Sequence, residues 1–594
     1  MNNFIALALI PLILSIGLAP ALPFVDAFEI SALCDNNQIL VERSTNGKYA
    51  CVNPDTAQKW LTSGFAKSDD TQFQESIPFT IPTANGQTSQ KPNIIVIMGD
   101  DVGWYNIGAY NLGVMTQTTP NIDKIAKNGM IFTDYYGDPS CTAARASFIT
   151  GELPIRTGLT TVGQAGVDHG IPDEAPTVAA ILKDMGYTTG QFGKNHFGDL
   201  NKYLPTVHGF DEFYGFLYHL DAMEDPFNQT YPPELNAIIG PRNLIHTWAS
   251  DVDDTTIDER WGKVGKQIIE DDGPLPPERM KTIDTETLDH AINFMDKALA
   301  EDKPFFVWHN PSRVHAFTHL SDYYDNLRTP ENGWSIGDAG HKEFDDTVGR
   351  LVKYVEDNGI AENTIIVVTS DNGAENWTWP DGGQTPFAGG KGGILEGGMR
   401  VPMIVQWPAN IPAGEIENGI MSHLDWLPTL VAAAGNPNIV EELKEGKKIG
   451  EKTYRVHIDG YNQLPVLTGE GESNRHELFY FMGPQLGAIR VDDYKYRFLD
   501  QPNGWFGETV ALGWPEITNL RLDPLERTGV PRSSNSGSLF ATDWYAHEFW
   551  RFVFSQQAVE GLAETFVEYP PMQGSSSFNL EGIKEQIRNA QLGK

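Results

Sequence analysis

Four short apolar runs limit what this 594-residue chain can fold into: Ile94-Ile95-Val96-Ile97-Met98, Pro304-Phe305-Phe306-Val307-Trp308, Thr364-Ile365-Ile366-Val367-Val368-Thr369 and Met403-Ile404-Val405. A strand with one wet face alternates polar and apolar residues. A continuous apolar run is instead expected of a strand covered on both faces, as in a parallel sheet. Helical patterns lie between the runs, at 122–128, 177–184, 288–299 and 345–357. Alternating strands and helices predict an α/β sheet with helices on both faces. In such folds ligands bind beyond the carboxyl ends of the strands. After about residue 454 the pattern loosens. Residues 488–491 and 494–498 flank Asp492-Asp493 and read as a hairpin. Residues 544–563 read as an amphipathic helix. The expected division is a catalytic domain at 91–453 and a smaller α+β subdomain at 454–594.

The first 90 residues have a different character. Residues 4–25 are apolar and uncharged, are broken by Pro11, Pro20 and Pro23, and lead to Ala27. They read as a signal peptide spanning 1–27, with an uncleaved anchor as the alternative. Cys34 and Cys51 flank two short strand-like stretches, which suggests a disulfide-linked module at 28–62 in an exported protein. Residues 63–90 are rich in Ser, Thr, Gln, Pro and Gly and read as a linker. Of three cysteines, Cys141 is then the odd one, a flag for a reactive thiol. The chain carries 79 acidic against 43 basic side chains, a net charge of −36. That balance argues against a nucleic acid partner, because phosphate binding needs a basic surface. It suits extracytoplasmic surroundings.

Pro139 and Ser140 read as a helix start and Gly151 as its stop. Cys141 then sits in the first turn, where free N–H groups favour negative charge and should make the thiol acidic. Arg145, four residues on, returns to the same face. The plainer alternative is a core cysteine beside a surface arginine. Asp100-Asp101 and Asp371-Asn372 each directly follow an apolar strand. Three carboxylates and an amide form an all-oxygen set suited to Ca²⁺ or Mg²⁺, although either pair alone could be a turn or helix cap. Lys194 and His196 lie in the glycine-bounded loop Gly193-Lys194-Asn195-His196-Phe197-Gly198, and Lys391 lies in Gly389-Gly390-Lys391-Gly392-Gly393. Glycines let a backbone approach an anion closely and lysine supplies compact charge. By themselves such loops are usually just solvated. His309, His315 and His319 cluster just past the second apolar run.

The stretch Cys141-Thr142-Ala143-Ala144-Arg145-Ala146-Ser147-Phe148-Ile149-Thr150-Gly151 resembles the signature of the type I sulfatases, with Ala143 where proline is usual. Glu396-Gly397-Gly398-Met399-Arg400-Val401-Pro402 also resembles a sulfatase element, Asp459-Gly460-Tyr461-Asn462 and Asn519-Leu520-Arg521-Leu522-Asp523-Pro524 look like the bacterial-type arylsulfatase branch, and the likeness extends over roughly residues 91–590. The resemblance implies an alkaline-phosphatase-like fold: a mixed, mostly parallel sheet covered by helices, with a C-terminal antiparallel sheet. It implies hydrolysis of a sulfate monoester to an alcohol or phenol and sulfate. The nucleophile would be the hydrate of formylglycine, made from Cys141 by a formylglycine-generating enzyme. Asp100, Asp101, Asp371, Asn372 and the oxygen derived from Cys141 would bind one divalent cation, Ca²⁺ ahead of Mg²⁺. Lys194 and Lys391 would hold the sulfate, His196 the hydrate, and Arg145 would orient and neutralise the site. His315, preferred to His309 and His319 because it ends an Arg-x-His element, would protonate the leaving oxygen. A small-molecule or glycan sulfate ester would be the substrate, with no nucleic acid and no membrane unless the N-terminal segment stays uncleaved. The nearest rival is a phosphonate or phosphate ester hydrolase of the same superfamily. A two-zinc phosphatase fits poorly, since Asn372 stands where that site wants a stronger ligand. With Cys141 unmodified, a non-catalytic surface-binding protein is the remaining alternative.

Overall fold

All four apolar runs are strands of one ten-stranded sheet. In the computed structural model, which describes residues 91–115, 119–161, 163, 165–526 and 546–576 and three short earlier strands, the chain forms two compact units, 1–88 and 89–594. In the first unit Ile39–Arg43 pairs antiparallel with both Tyr49–Val52 and Ala66–Lys67. The first of these pairings joins the two strand-like stretches expected there. The expected signal peptide, the Cys34–Cys51 disulfide and most of the linker lie outside the described residues.

In the second unit the sheet strands are β1 (Asn93–Gly99), β2 (Met130–Phe132), β3 (Thr188–Lys194), β4 (Glu212–Phe216), β5 (Ile245–Asp258), β6 (Gly262–Asp271), β7 (Phe305–Asn310), β8 (Thr364–Ser370), β9 (Met403–Gln406) and β10 (Glu415–Glu417). Their order is β6-β5-β4-β3-β7-β1-β8-β9-β2-β10. The five strands from β4 to β8 are mutually parallel, and β5, β6 and β9 pair antiparallel with their neighbours. The sheet is thus mixed and mostly parallel at its centre. β4, β5 and β6 carry no long apolar run, and the sequence pattern does not announce them. Much of the β5–β6 hairpin is exposed, so its composition is polar.

Successive residues of the central strands enter opposite cores. Ile94, Val96 and Met98 pack with Phe306, Trp308 and Val367 on one face. Helices α2 (Cys141–Thr150), α3 (Val178–Asp184) and α6 (Trp426–Ala433) cover that face. Ile95 and Ile97 join Phe305, Val307 and Ile366 on the other face, under α1 (Pro120–Asn128), α4 (Ile283–Ala300) and α5 (Ile336–Asp357). This is why the runs are apolar throughout: each side chain gains about 1.5–3 kcal/mol by burial whichever way it points. Helix α5 starts nine residues before the expected 345–357. Ser335 and Asp338 form a capping box there. Gly337 and Gly340, which look like breakers, allow close approaches. A Cβ on Gly337 would sit 2.1 Å from the Asp381 carbonyl, and one on Gly340 would sit 3.0 Å from Val314 Cγ1.

The C-terminal strands β11 (Glu477–Met482), β12 (Gln485–Val491), β13 (Tyr494–Asp500) and β14 (Val510–Asn519) form an antiparallel sheet in that order. Val491 pairs with Tyr494 across Asp492-Asp493, the expected hairpin. Helix α7 (Phe552–Glu568), displaced from the expected 544–563, packs Phe552 and Val559 against Ile489 and Tyr496.

Buried charges tie this sheet to the first. Glu396 accepts hydrogen bonds from Tyr136 (2.6 Å), Tyr480 (2.9 Å) and Lys495 (3.1 Å). Asp134 pairs with Arg400 at 2.8 Å and Arg490 at 2.9 Å.

Helix α1 lacks a cap of its own. Instead Asp345 on α5 accepts from the backbone N–H groups of Asn121 (2.9 Å) and Ile122 (3.0 Å). Asp345→Ala leaves those buried donors unpaired and should lower stability by roughly 1–3 kcal/mol, read as a lower urea midpoint at unchanged slope.

Candidate active site

Four strand ends meet at the site, and backbone hydrogen bonds beyond the sheet lock those of β1, β7 and β8 together. Asp100 N–H donates to the Arg313 carbonyl (3.0 Å), Val314 N–H to the Asp100 carbonyl (2.7 Å) and Asp371 N–H to the Gly99 carbonyl (3.2 Å). Asp101 has a φ of +63°, a left-handed conformation that Asp tolerates better than most residues. At the end of β3, Gly193 has a φ of +107°, and a Cβ there would lie 2.0 Å from the Asn310 carbonyl oxygen. Only glycine lets β3 sit that close to β7, which brings Lys194 to Asp100.

Helix α2 begins at Cys141 and ends at Gly151, which takes the left-handed C-cap conformation at φ +67°, as the start and stop signals predict. Arg145, one turn past Cys141, is wholly buried and not a surface residue. Its Nε and Nη2 donate to Asp371 Oδ2 at 3.1 and 2.9 Å, and Nη2 lies 3.6 Å from Asp100 Oδ1. Lys194 Nζ donates to both Asp100 oxygens at 2.8 and 2.7 Å. Lys391 Nζ donates to Asp101 Oδ2 at 2.6 Å and Glu375 Oε2 at 2.9 Å. Asn372 Nδ2 donates to Asp101 Oδ1 at 2.7 Å.

Burial alone would raise the Asp100 and Asp101 carboxyls, yet both are held at about 2. For Asp100 the opposing charge is chiefly Lys194, and for Asp101 it is Lys391. Burial and the Asp101 charge push Glu375 up to about 8 against the pull of Lys391. Glu375 has no motif to mark it in the sequence, since only the fold brings it to Lys391. The expected acidic thiol is not found. Burial raises Cys141 strongly, and Lys194 and Lys391 offset it only in part because Asp371 and Asp100 stand close. The helix start is present, but desolvation and neighbouring carboxylates outweigh it.

The donor set suits a hard cation. Oxygens of Asp100 and Asp101 and the Cys141 sulfur lie within 4.8 Å of one another. Asn372 Oδ1 is buried and has no hydrogen-bond partner, an arrangement that a cation beside it would satisfy.

His196 is buried with neither ring nitrogen hydrogen-bonded, and burial together with Lys194 keeps it neutral. His315 Nδ1 lies 2.9 Å from the Ala316 carbonyl. A carbonyl only accepts, so Nδ1 carries the proton and Nε2, 3.7 Å from Asp101 Oδ2, is the nitrogen left open. Of the three neighbouring histidines only His315 lines the cleft. His309 is wholly buried in β7, where desolvation lowers it to about 3, and His319 pairs with Glu224 at 2.7 Å. His219 and Asp221, which the sequence did not single out, share the cleft wall with His315. The cleft has a volume of about 1160 Å³ and reaches Cys141, Lys391 and Glu375 at its floor.

Residues 92–436 match the Sulfatase family model. The chain is 32% identical over 431 residues to N-acetylgalactosamine-6-sulfatase of Sus scrofa, a match covering 70% of this chain and 73% of that one. It is 31% identical over 424 residues to arylsulfatase A of Homo sapiens, covering 70% and 76%. The fold is similar to the crystal structure of the PsFucS1 sulfatase from Pseudoalteromonas sp., with a TM-score of 0.70, 26% identity, and coverage of 89% of this chain and 97% of the other.

Arg145→Ala should strand the Asp371 and Asp100 carboxylates in a dry site. Removing one partner of a buried pair costs about 3–5 kcal/mol, so the melting temperature of the metal-free protein should drop by several degrees, measured by calorimetry.

Proposed function

The chain belongs to the sulfatase family and hydrolyses sulfate esters, and we propose that it does so with a formylglycine made from Cys141 and one divalent cation, Ca²⁺. Family membership implies a metal ion and formylglycine. What supports their placement here is the junction of Cys141 with the Asp100 and Asp101 carboxylates, beside two buried lysines and the open Asn372 Oδ1. Asp100, Asp101, Asp371 and Asn372 would hold the cation, and Ca²⁺ would suit an all-oxygen set with a neutral amide among its ligands. When in place, the formylglycine hydrate supplies the nucleophilic oxygen and the cation supplies fixed positive charge beside it. The raised thiol of Cys141 is a poor nucleophile, which accords with the need to convert it.

The chain's own residues divide the remaining tasks. Arg145 fixes the Asp371 carboxylate and offsets its charge. Lys194 and Lys391 donate N–H groups to the sulfuryl oxygens, where negative charge grows in the transition state. Once Nε2 also takes up a proton, the His315 imidazolium, facing Asp101 at 3.7 Å, gives that proton to the leaving oxygen and returns to the Nδ1–H form. His196, held neutral, would be the base for the second hydroxyl of a residue 141 hydrate. The substrate is a sulfate monoester of a small alcohol, phenol or glycan. Maturation calls for a formylglycine-generating enzyme. The apolar N-terminal segment and the acidity of the chain support an extracytoplasmic site of action. Among the described residues no helix is long and apolar enough to cross a membrane.

Peptide mass analysis of active protein should show residue 141 as formylglycine. Full activity with intact thiol at that position would refute the mechanism. Matched aryl sulfate, phosphate and phosphonate esters should give the highest kcat/KM for the sulfate, because two lysines and one cation are lean for a dianion. A clear preference for phosphorus would favour the ester hydrolase alternative. Asp371→Ala should lose both metal and activity. His315→Ala should keep its metal and lose roughly 10²–10⁴ in rate, least with acidic leaving groups. Metal analysis beside rates on good and poor leaving groups separates the two roles.

A further inference from the structure

The outer wall of the active-site cleft carries an aromatic platform that the hydrolytic machinery does not use. Trp377, Trp505 and Phe506 all line the cleft. Trp505 and Phe506 stack with centroids 5.6 Å apart at 22°, and Trp377 meets Phe506 edge-on at 5.4 Å. None belongs to a buried core, and Phe506 and Trp377 are 82% and 44% exposed. Clustered exposed apolar surface of this kind marks a binding site more often than a structural accident. The platform is continuous with the reaction centre. Trp505 lies so tightly on Gly392 that a Cβ there would come within 2.1 Å of the indole. The Nζ of neighbouring Lys391 is 5.7 Å from the Trp505 ring centroid. A molecule anchored by its sulfate at Lys391 is thereby within reach of these rings.

Polar groups interleave with the aromatic ones. Gln485, Gln501, Thr378 and Glu508 share the wall, and Gln501 Oε1 is buried without a hydrogen-bond partner. Flat apolar faces beside amide and hydroxyl groups match a pyranose ring, which presents a face of C–H bonds and a rim of hydroxyls. The cleft volume of about 1160 Å³ exceeds what one small ester requires. Among the lining residues the only cationic or titratable basic groups are Lys391, His219 and His315, all near the floor, while the platform side carries Glu508. Among the described residues the platform has no cation of its own with which to hold a second sulfate.

Resting on the sulfatase reading above, we infer that Trp377, Trp505 and Phe506 form a subsite for an uncharged sugar ring adjoining the sulfated unit, so that the substrate is a glycan chain and not an isolated sulfated monomer. The test uses the Cys141→Ala protein for binding, followed by indole fluorescence and calorimetry. The probes are κ-neocarrahexaose, whose sulfated units alternate with uncharged ones, a chondroitin 6-sulfate hexasaccharide, a sulfated fucan hexasaccharide, and the corresponding monosaccharide sulfates. At least one hexasaccharide, tightest among them the one with uncharged neighbouring rings, should quench the indoles and bind more tightly than its monomer. Nucleobase stacking on aromatic side chains is worth roughly 5–150-fold by alanine substitution, which sets the upper scale for a sugar face on this platform. The Trp377→Ala/Phe506→Ala double variant should lose about that much affinity for the hexasaccharide beyond any loss for the monomer. In the active enzyme it should lose as much kcat/KM for the hexasaccharide beyond any loss for 4-nitrophenyl sulfate. Trp377→Phe/Phe506→Tyr should recover most of it, which a merely structural role for the exposed rings would not predict. Equal losses for chain and monomer, or no hexasaccharide binding more tightly than its monomer, would overturn the subsite. A wild-type protein that binds the hexasaccharide selectively through these rings but cleaves no sulfate ester would uphold the subsite and remove the sulfatase mechanism instead.

Discussion

The structure depends on a balance of charge in a dry place. Asp100, Asp101 and Asp371 are buried together at the carboxyl ends of two adjacent parallel strands. Three carboxylates cannot remain ionised there without compensation, because desolvation and mutual repulsion both favour protonation. Lys194, Lys391 and Arg145 provide that compensation from three separate elements: strand β3, a glycine-rich loop and the helix that begins at Cys141. The same groups that make the site foldable make it reactive. In the proposed mechanism their N–H donors and positive charges meet the negative charge of the sulfuryl group. Stability and function are therefore not separable at these positions, and their neighbours are shaped to keep them in place. Gly193 lets one strand approach another, and backbone hydrogen bonds stitch Asp100, Arg313 and Asp371 together beyond the sheet.

A second buried network does comparable work at the edge of the catalytic core. Glu396 and Asp134, opposed by Arg400, Arg490 and Lys495, bind the C-terminal antiparallel sheet to the loop that carries Lys391. Glu396 is held at about 2 because Lys495, Arg400 and Arg490 outweigh its burial. The Glu-Gly-Gly-x-Arg-Val-Pro motif that marked this stretch in the sequence thus has a structural role for its charged members. It anchors a loop whose lysine faces the cleft on one side and whose following glycine seats Trp505 on the other. Through this arrangement the C-terminal sheet contributes to the wall that a substrate meets, although it supplies none of the charged groups at the floor.

Much of this architecture is legible in the amino-acid order because its causes are local. Apolar runs such as Ile94-Ile95-Val96-Ile97-Met98 require cover on both faces, and that requirement alone predicts a central parallel sheet with helices above and below. Asp100, Asp101, Asp371 and Asn372 are visible because they follow such runs immediately. Cys141 is visible as the first residue of a helix bounded by Ser140 and Gly151. Tertiary structure decided what depends on distant groups. Arg145 is a buried partner of Asp371, 226 positions away, and not a surface residue. The Cys141 thiol is raised and not lowered, because its environment is set by desolvation and by Asp371 and Asp100 more than by its helix. Glu375 and the Trp377, Trp505 and Phe506 platform carry no periodicity or motif, since they become a site only when remote loops converge. The polar, largely exposed strands β5 and β6 are hidden for a related reason: what places them in the sheet is pairing with a neighbour, and backbone pairing leaves no mark in side-chain hydrophobicity.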